Sequence, residues 1–201
     1  MQSSIIPKLQ IIKEEDNLGT YCFEPLEKTY GITLGNALRR VLLSALPGLA
    51  VTSVKIAGVS HEFSSVPGLK EDILDLILNI KQIRIKQLEA FEDPLMMTLE
   101  ASGETKLKAK QMKCPAQIEI VNKDLYLATL VDKKAKLEME LTVESGRGYS
   151  PEYERSYSKK QSLQSIPIDA IYAPVSRVDF HVEPTRVGQS SNYDKLTLEV
   201  L

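Results

Sequence analysis

The chain has few of the residues that usually mark a metal, redox or catalytic centre. Its 201 residues include two cysteines, two histidines and no tryptophan. Cys22 and Cys114 are far apart and form no CxxC pattern, so a thiol-based metal or redox motif is not expected. His61 and His181 do not provide a zinc ligand set. Charge of one sign is also missing: 25 basic residues face 27 acidic ones, a net charge of -2. A protein that grips nucleic acid through phosphates carries a basic footprint, so direct DNA binding by these residues is not expected. No apolar run approaches the ~20 residues a membrane helix needs. The start, MQSSIIPKLQ, lacks the basic-then-apolar order of a secretory signal. The expected compartment is the reducing cytoplasm, or an equivalent interior, with both cysteines as free, packed thiols.

Catalytic motifs are absent too. There is no P-loop, no GxSxG and no paired carboxylate with a motif around it. His61 and Glu62, read as adjacent strand residues, would point to opposite faces, so they form no acid–base unit. Gly146-Arg147-Gly148 has no helix after it to present amides to a phosphate, and reads as a tight turn. Lys106, Lys108 and Lys110 alternate with Leu107 and Ala109, the solvated side of a strand. No catalytic residue, no metal and no cofactor are therefore expected.

What is present is an ordinary globular composition, 43% hydrophobic, sized for one large domain or two small ones. The most organised stretch is Thr33 to Gly48, TLGNALRRVLLSALPG. At 100° per residue, Leu34, Ala37, Leu38, Val41, Leu42 and Ala45 share one side. Asn36, Arg39, Arg40 and Leu43 share the other. Pro47-Gly48 ends the helix, and either Thr29 or Thr33 could cap its start. Leu43 amid Asn36, Arg39 and Arg40 reads either as a protein contact patch or as one more singly exposed leucine. Gly35 costs a helix interior ~1 kcal/mol relative to alanine, which points to a close approach by another backbone or to a later helix start.

The rest reads as strands around one more helix. Residues 4–14 and 20–25 are strands around the turn Asp16-Asn17-Leu18-Gly19, and 50–57 alternates as a half-buried strand. Leu69 to Ile80 is a helix, apolar over more than half its girth and therefore expected to be largely enclosed. Glu71-Asp72 suits its positive end and Lys81 its negative end. From Ile83 to Ser145 the pattern is strand-like. Residues 146–165 read as a long loop, followed by strands at 177–182 and 195–201 around the turn 188–192.

Leu26 to Gly48, LEKTYGITLGNALRRVLLSALPG, resembles the signature helix of the alpha subunit of bacterial-type RNA polymerase. The resemblance continues in GVSHEFSSVPGLKEDILDLILNIK (58–81), GRGYSP (146–151) and IDAIYAPVSRVDFHVEPTRVGQ (168–189). It implies an α+β fold with a dimerisation domain, 1–49 plus 175–201, and a mainly antiparallel β insert domain, 50–174. It implies a non-catalytic subunit that dimerises and docks the beta and beta-prime subunits. The positions matching the family's dimer contacts are Tyr30, Leu34, Leu38 and Leu42. Those matching beta docking are Arg40 and Leu43; those matching beta-prime docking are Lys81, Ile168 and Val175. The family continues past the position of Leu201 with a further dimer helix, a linker and a DNA-binding domain, so this chain is expected to dimerise more weakly than a longer form. The rival reading is a stand-alone dimeric binding module.

Overall fold

A computed structural model describes residues 6–15, 17–156, 165–188 and 190–201. In chain order the elements are β1 (Lys8–Glu15), β2 (Leu18–Glu27), α1 (Tyr30–Ser44), β3 (Pro47–Ile56), α2 (Ile73–Ile80), β4 (Ile85–Gln87), β5 (Leu95–Ser102), β6 (Thr105–Lys108), β7 (Ile118–Ile120), β8 (Tyr126–Leu130), β9 (Lys136–Arg147), β10 (Tyr149–Ser150), α3 (Glu152–Ser156), β11 (Ile166–Pro167), β12 (Ala170–Ile171), β13 (Val178–Val187) and β14 (Ser190–Val200). The fold is α+β and its strand pairs are antiparallel. It divides into two compact units, Met1–Leu46 with Ala173–Leu201, and Pro47–Tyr172. The boundary expected at 49/50 falls inside β3, because Pro47 and Gly48 already pair with Arg147 and Gly146.

In the first unit the strand order is β1-β2-β14-β13, with α1 against β13 and β14. Strand register lines up two apolar rows across one face. One runs Leu9, Phe23, Leu196, Val182; the other runs Ile11, Tyr21, Leu198, Phe180. Helix α1 sits over the β13 end of both. A Cβ on Gly31 would lie 2.7 Å from Val182 Cγ1, and one on Gly35 would lie 2.5 Å from the Phe180 ring. Gly35 thus serves a close approach, made by sheet side chains and not by a second helix. The helix starts three residues before Thr33. Thr29 holds the cap position with a left-handed backbone and no side-chain hydrogen bond. Asp194 of β14 accepts from the Gly31 N–H at 3.3 Å instead, satisfying one of the amides a helix start leaves open.

In the second unit the central sheet has the order β11-β3-β9-β5, joined by the ribbons β4-β7, β6-β8 and β10-β12. The strand-like stretch 83–145 is thus divided between the central sheet, which takes β5 and β9, and the separate pairs β4-β7 and β6-β8, and Ala109–Gln111 forms a 3-10 turn. The rows Met97–Leu141–Val54 and Leu99–Met139–Ile56 cross the sheet and are buried throughout. Ile73, Leu76, Ile77 and Ile80 of α2 complete the core. Helix α2 is shorter than expected. Leu69 bridges to Leu130, and the Glu71 carboxylate accepts from the Thr129 N–H at 2.7 Å and from the Tyr126 hydroxyl, so Leu69 and Glu71 are tied to β8 of the β6-β8 ribbon and are not part of the helix. Leu74 and Leu78 are exposed, so α2 is enclosed on one side only.

Within the loop expected at 146–165, Gly148 turns the chain at φ 63 into β10, and α3 follows. Its remainder, 157–164, lies outside the described residues, as do 4–5 of the first expected strand, Asp16 of the first turn and Gln189 of the last.

Candidate docking surfaces

Helix α1 has three sides. The sheet side is centred on Gly31 and Gly35, which are buried, with Leu34, Leu38 and Leu42 half-buried beside them. One flank exposes Tyr30, Ala37, Val41 and Ala45; Tyr30 is 57% and Val41 51% exposed. The expected apolar stripe was therefore drawn too far round: Ala37, Val41 and Ala45 face outward, because the glycines take the sheet-facing positions. Below the helix, the β1 ends of both apolar rows are uncovered, Leu9 at 58% and Ile11 at 59%. Tyr30, Leu34, Leu38 and Leu42 thus share one helix, with only Tyr30 fully outward.

The other flank carries Ile32, Asn36, Arg39 and Arg40, all exposed, with Leu43 half-buried among them. Among the described residues neither arginine is in an ion pair. Arg40 anchors locally only through its carbonyl, which accepts from Ser44 Oγ at 2.6 Å. Ile32 is the residue the sequence reading passed over; its spacing of four from Asn36 and eight from Arg40 was the available signal.

The beta-prime positions fall differently. Lys81 and Ile168 belong to the second unit and Val175 to the first. Lys81 follows α2, but its ammonium is already paired: Nζ lies 3.1 Å from Asp169 Oδ2. Lys81 does stand at the helix end, with Asp169 as its partner. Ile168 is 2% exposed and lies in the core, so its side chain is not a surface contact. Val175 is half-buried.

Elsewhere the second unit exposes Phe63 at 81%, in the segment before α2. His61 lies in the same segment, in no strand, with Ser64 Oγ 3.1 Å from Nδ1. Cys22 and Cys114 are free thiols, each pushed up chiefly by burial. Among the described residues no group of three or more His, Cys, Asp or Glu could hold a metal ion, and no helix is long and apolar enough to cross a membrane.

Residues 54–173 match the RNA polymerase Rpb3/RpoA insert domain. The chain belongs to that family. It is 48% identical over 196 residues to the DNA-directed RNA polymerase subunit alpha of Symbiobacterium thermophilum, 50% to that of Desulfitobacterium hafniense and 52% to that of Desulforamulus reducens. Each comparison covers 96% of this chain and 61% of the relative. The chain thus spans about three-fifths of the length of the curated alpha subunits it matches, and the similarity extends beyond the insert domain into the unit that carries α1.

Proposed function

We propose that this chain is an assembly scaffold of a DNA-directed RNA polymerase, in which two copies associate and dock the large subunits. The observation that carries the reading is the pair of apolar rows in the first unit, covered by α1 at one end and bare at Leu9 and Ile11. A second copy of the same surface would cover them together with the outward flank of α1. Tyr30, Leu34, Leu38 and Leu42 are the contacts proposed for that homodimer. Such an interface is isologous, so each residue meets its own face of the partner.

The opposite flank of α1 is proposed to dock the beta subunit. Arg40 and Leu43 provide a guanidinium with no ion-pair partner beside an aliphatic centre, a combination enriched in interface cores. Lys81 and Val175 are proposed as contacts for beta-prime, with Ile168 supporting the Lys81 surface from the core. In this reading the scaffold performs no phosphodiester chemistry of its own, holds no cofactor and works in the cytoplasm or an organellar interior of bacterial type. The balanced charge supports the further reading that these residues make no direct DNA contact.

Arg40→Ala tests the beta face. The side chain is exposed, so its removal leaves no cavity, and the melting temperature should stay within a degree or two. Loss of an interface arginine costs about 2 kcal/mol or more, roughly thirtyfold in affinity. Capture of purified beta subunit by parent and variant, at matched dimer content, reads it. Equal capture removes Arg40 from the interface.

A further inference from the structure

Asp169 joins three segments of the second unit. Its Oδ1 accepts from the Glu152 N–H at 3.0 Å, at the start of α3. Its Oδ2 accepts from Lys81 Nζ at 3.1 Å, at the end of α2. Its own backbone lies between buried Ile168 and Ala170, which opens β12. The Lys81 and Asp169 side chains are 25% and 37% exposed, so the pair is partly shielded yet reachable. The Glu152 amide, then the Lys81 ammonium, hold the Asp169 carboxyl below the usual carboxylate range against the opposing effect of burial.

A lysine ammonium is a point charge on a flexible stem with ~2 kcal/mol of rotamer entropy to lose on being fixed. Here the backbone amide of Glu152 fixes the carboxylate, and the carboxylate fixes the ammonium. One of the three ammonium protons is used by Asp169; among the described residues no second partner takes the others. The arrangement also accounts for a buried residue at a docking position. The Ile168 side chain anchors the strand in the core, and its carbonyl accepts from Arg155 Nη2. A change at Ile168 would reach the surface by displacing Asp169.

We propose that Asp169 is a positioning residue for docking at Lys81: held by the Glu152 amide, it presents the Lys81 ammonium, already oriented, to an acceptor group on the beta-prime subunit. This rests on the docking reading of Lys81. An opposite effect competes with it, since Asp169 also neutralises the charge a partner carboxylate would seek. The two effects predict opposite signs for Asp169→Asn, which keeps an oxygen for the Glu152 amide and removes the charge that holds Lys81.

Affinity for purified beta-prime, measured with the full 201-residue chain and with Lys81→Ala, Asp169→Asn and the double variant, decides it. Each single variant should bind about tenfold more weakly, the scale of one charge-assisted hydrogen bond. The double variant should be no weaker than Lys81→Ala alone, because Asp169 acts through Lys81. A merely structural role for Asp169 would persist in the Lys81→Ala background and overturn the inference. Unchanged or tighter binding by Asp169→Asn would overturn it as well, while leaving Lys81 docking intact. A parent chain that binds no beta-prime removes the docking reading and this inference with it.

Discussion

Both units contain a four-stranded antiparallel sheet crossed by apolar rows, and the two sheets end up in opposite states. In the second unit the row Met97–Leu141–Val54 is 0% exposed from end to end. In the first unit the row runs from half-buried Val182 through Leu196, fully buried, to Leu9, more than half exposed. The difference does not lie in the strands, since both sets alternate apolar and polar residues and pair in register. It lies in cover. The second sheet shares its core with α2 and the ribbons. The first has one helix, seated by two glycines over β13 and β14. A sheet with one face half covered leaves apolar area to bury, and each of Leu9 and Ile11, a little over half exposed, would gain roughly 1–2 kcal/mol on full burial.

Paired truncations should break the symmetry of the two sheets most sharply. Leu141→Ala removes the centre of a closed row and should cost about 2–5 kcal/mol in chemical denaturation. Leu9→Ala, at an open end, should cost less than about 0.5 kcal/mol at protein concentrations where the chain is monomeric. Comparable losses at the two sites would mean that β1 is covered in solution. Next in size is Gly35→Ala. The added methyl meets the Phe180 ring, so α1 must lift, at about 1–3 kcal/mol. A variant as stable as the parent would place the helix elsewhere on its sheet.

A smaller effect, confined to the second unit, comes from acid. Burial pushes the Glu71 carboxyl up, but hydrogen bonds from the Tyr126 hydroxyl and the Thr129 amide hold it below its ordinary value. A carboxyl lowered in the folded state contributes stability above its unfolded value, and that contribution fades as pH falls through the folded one. The denaturation midpoint should therefore drop below about pH 5, and Glu71→Gln should drop less over the same range. Identical acid profiles would show that the Glu71 tether does not stabilise the unit.

The sequence displayed what is periodic and concealed what is distant. Helix α1, the turn at Gly148 and most strands were legible because their patterns repeat locally. The start of α1 was legible only as a choice between Thr29 and Thr33; that the Gly31 amide bonds to Asp194, 163 residues away, was not. The buried side of α1 was misplaced because glycines add nothing to an apolar count, although Gly31 and Gly35 stand four apart, the spacing of a helix contact line. Of the acidic pair Glu71-Asp72, Asp72 does hold the cap position of α2, whereas the Glu71 carboxylate is taken by β8. The partner of Lys81 was not legible because Asp169 is 88 residues away. The docking positions themselves came from resemblance. Residue pattern alone offered only a helix with an apolar side and an arginine-bearing side.

Self-association through the open half of the first unit is the claim on which the account rests, and Val41→Glu tests it most directly. Val41 is exposed on the outer flank of α1, so the charge should leave the isolated fold intact. Sedimentation equilibrium over a dilution series should show the parent passing from dimer to monomer, and Val41→Glu remaining monomeric at concentrations where the parent is paired, with the same melting temperature at high dilution. A parent that is monomeric throughout, or a variant that pairs as tightly as the parent, would contradict it.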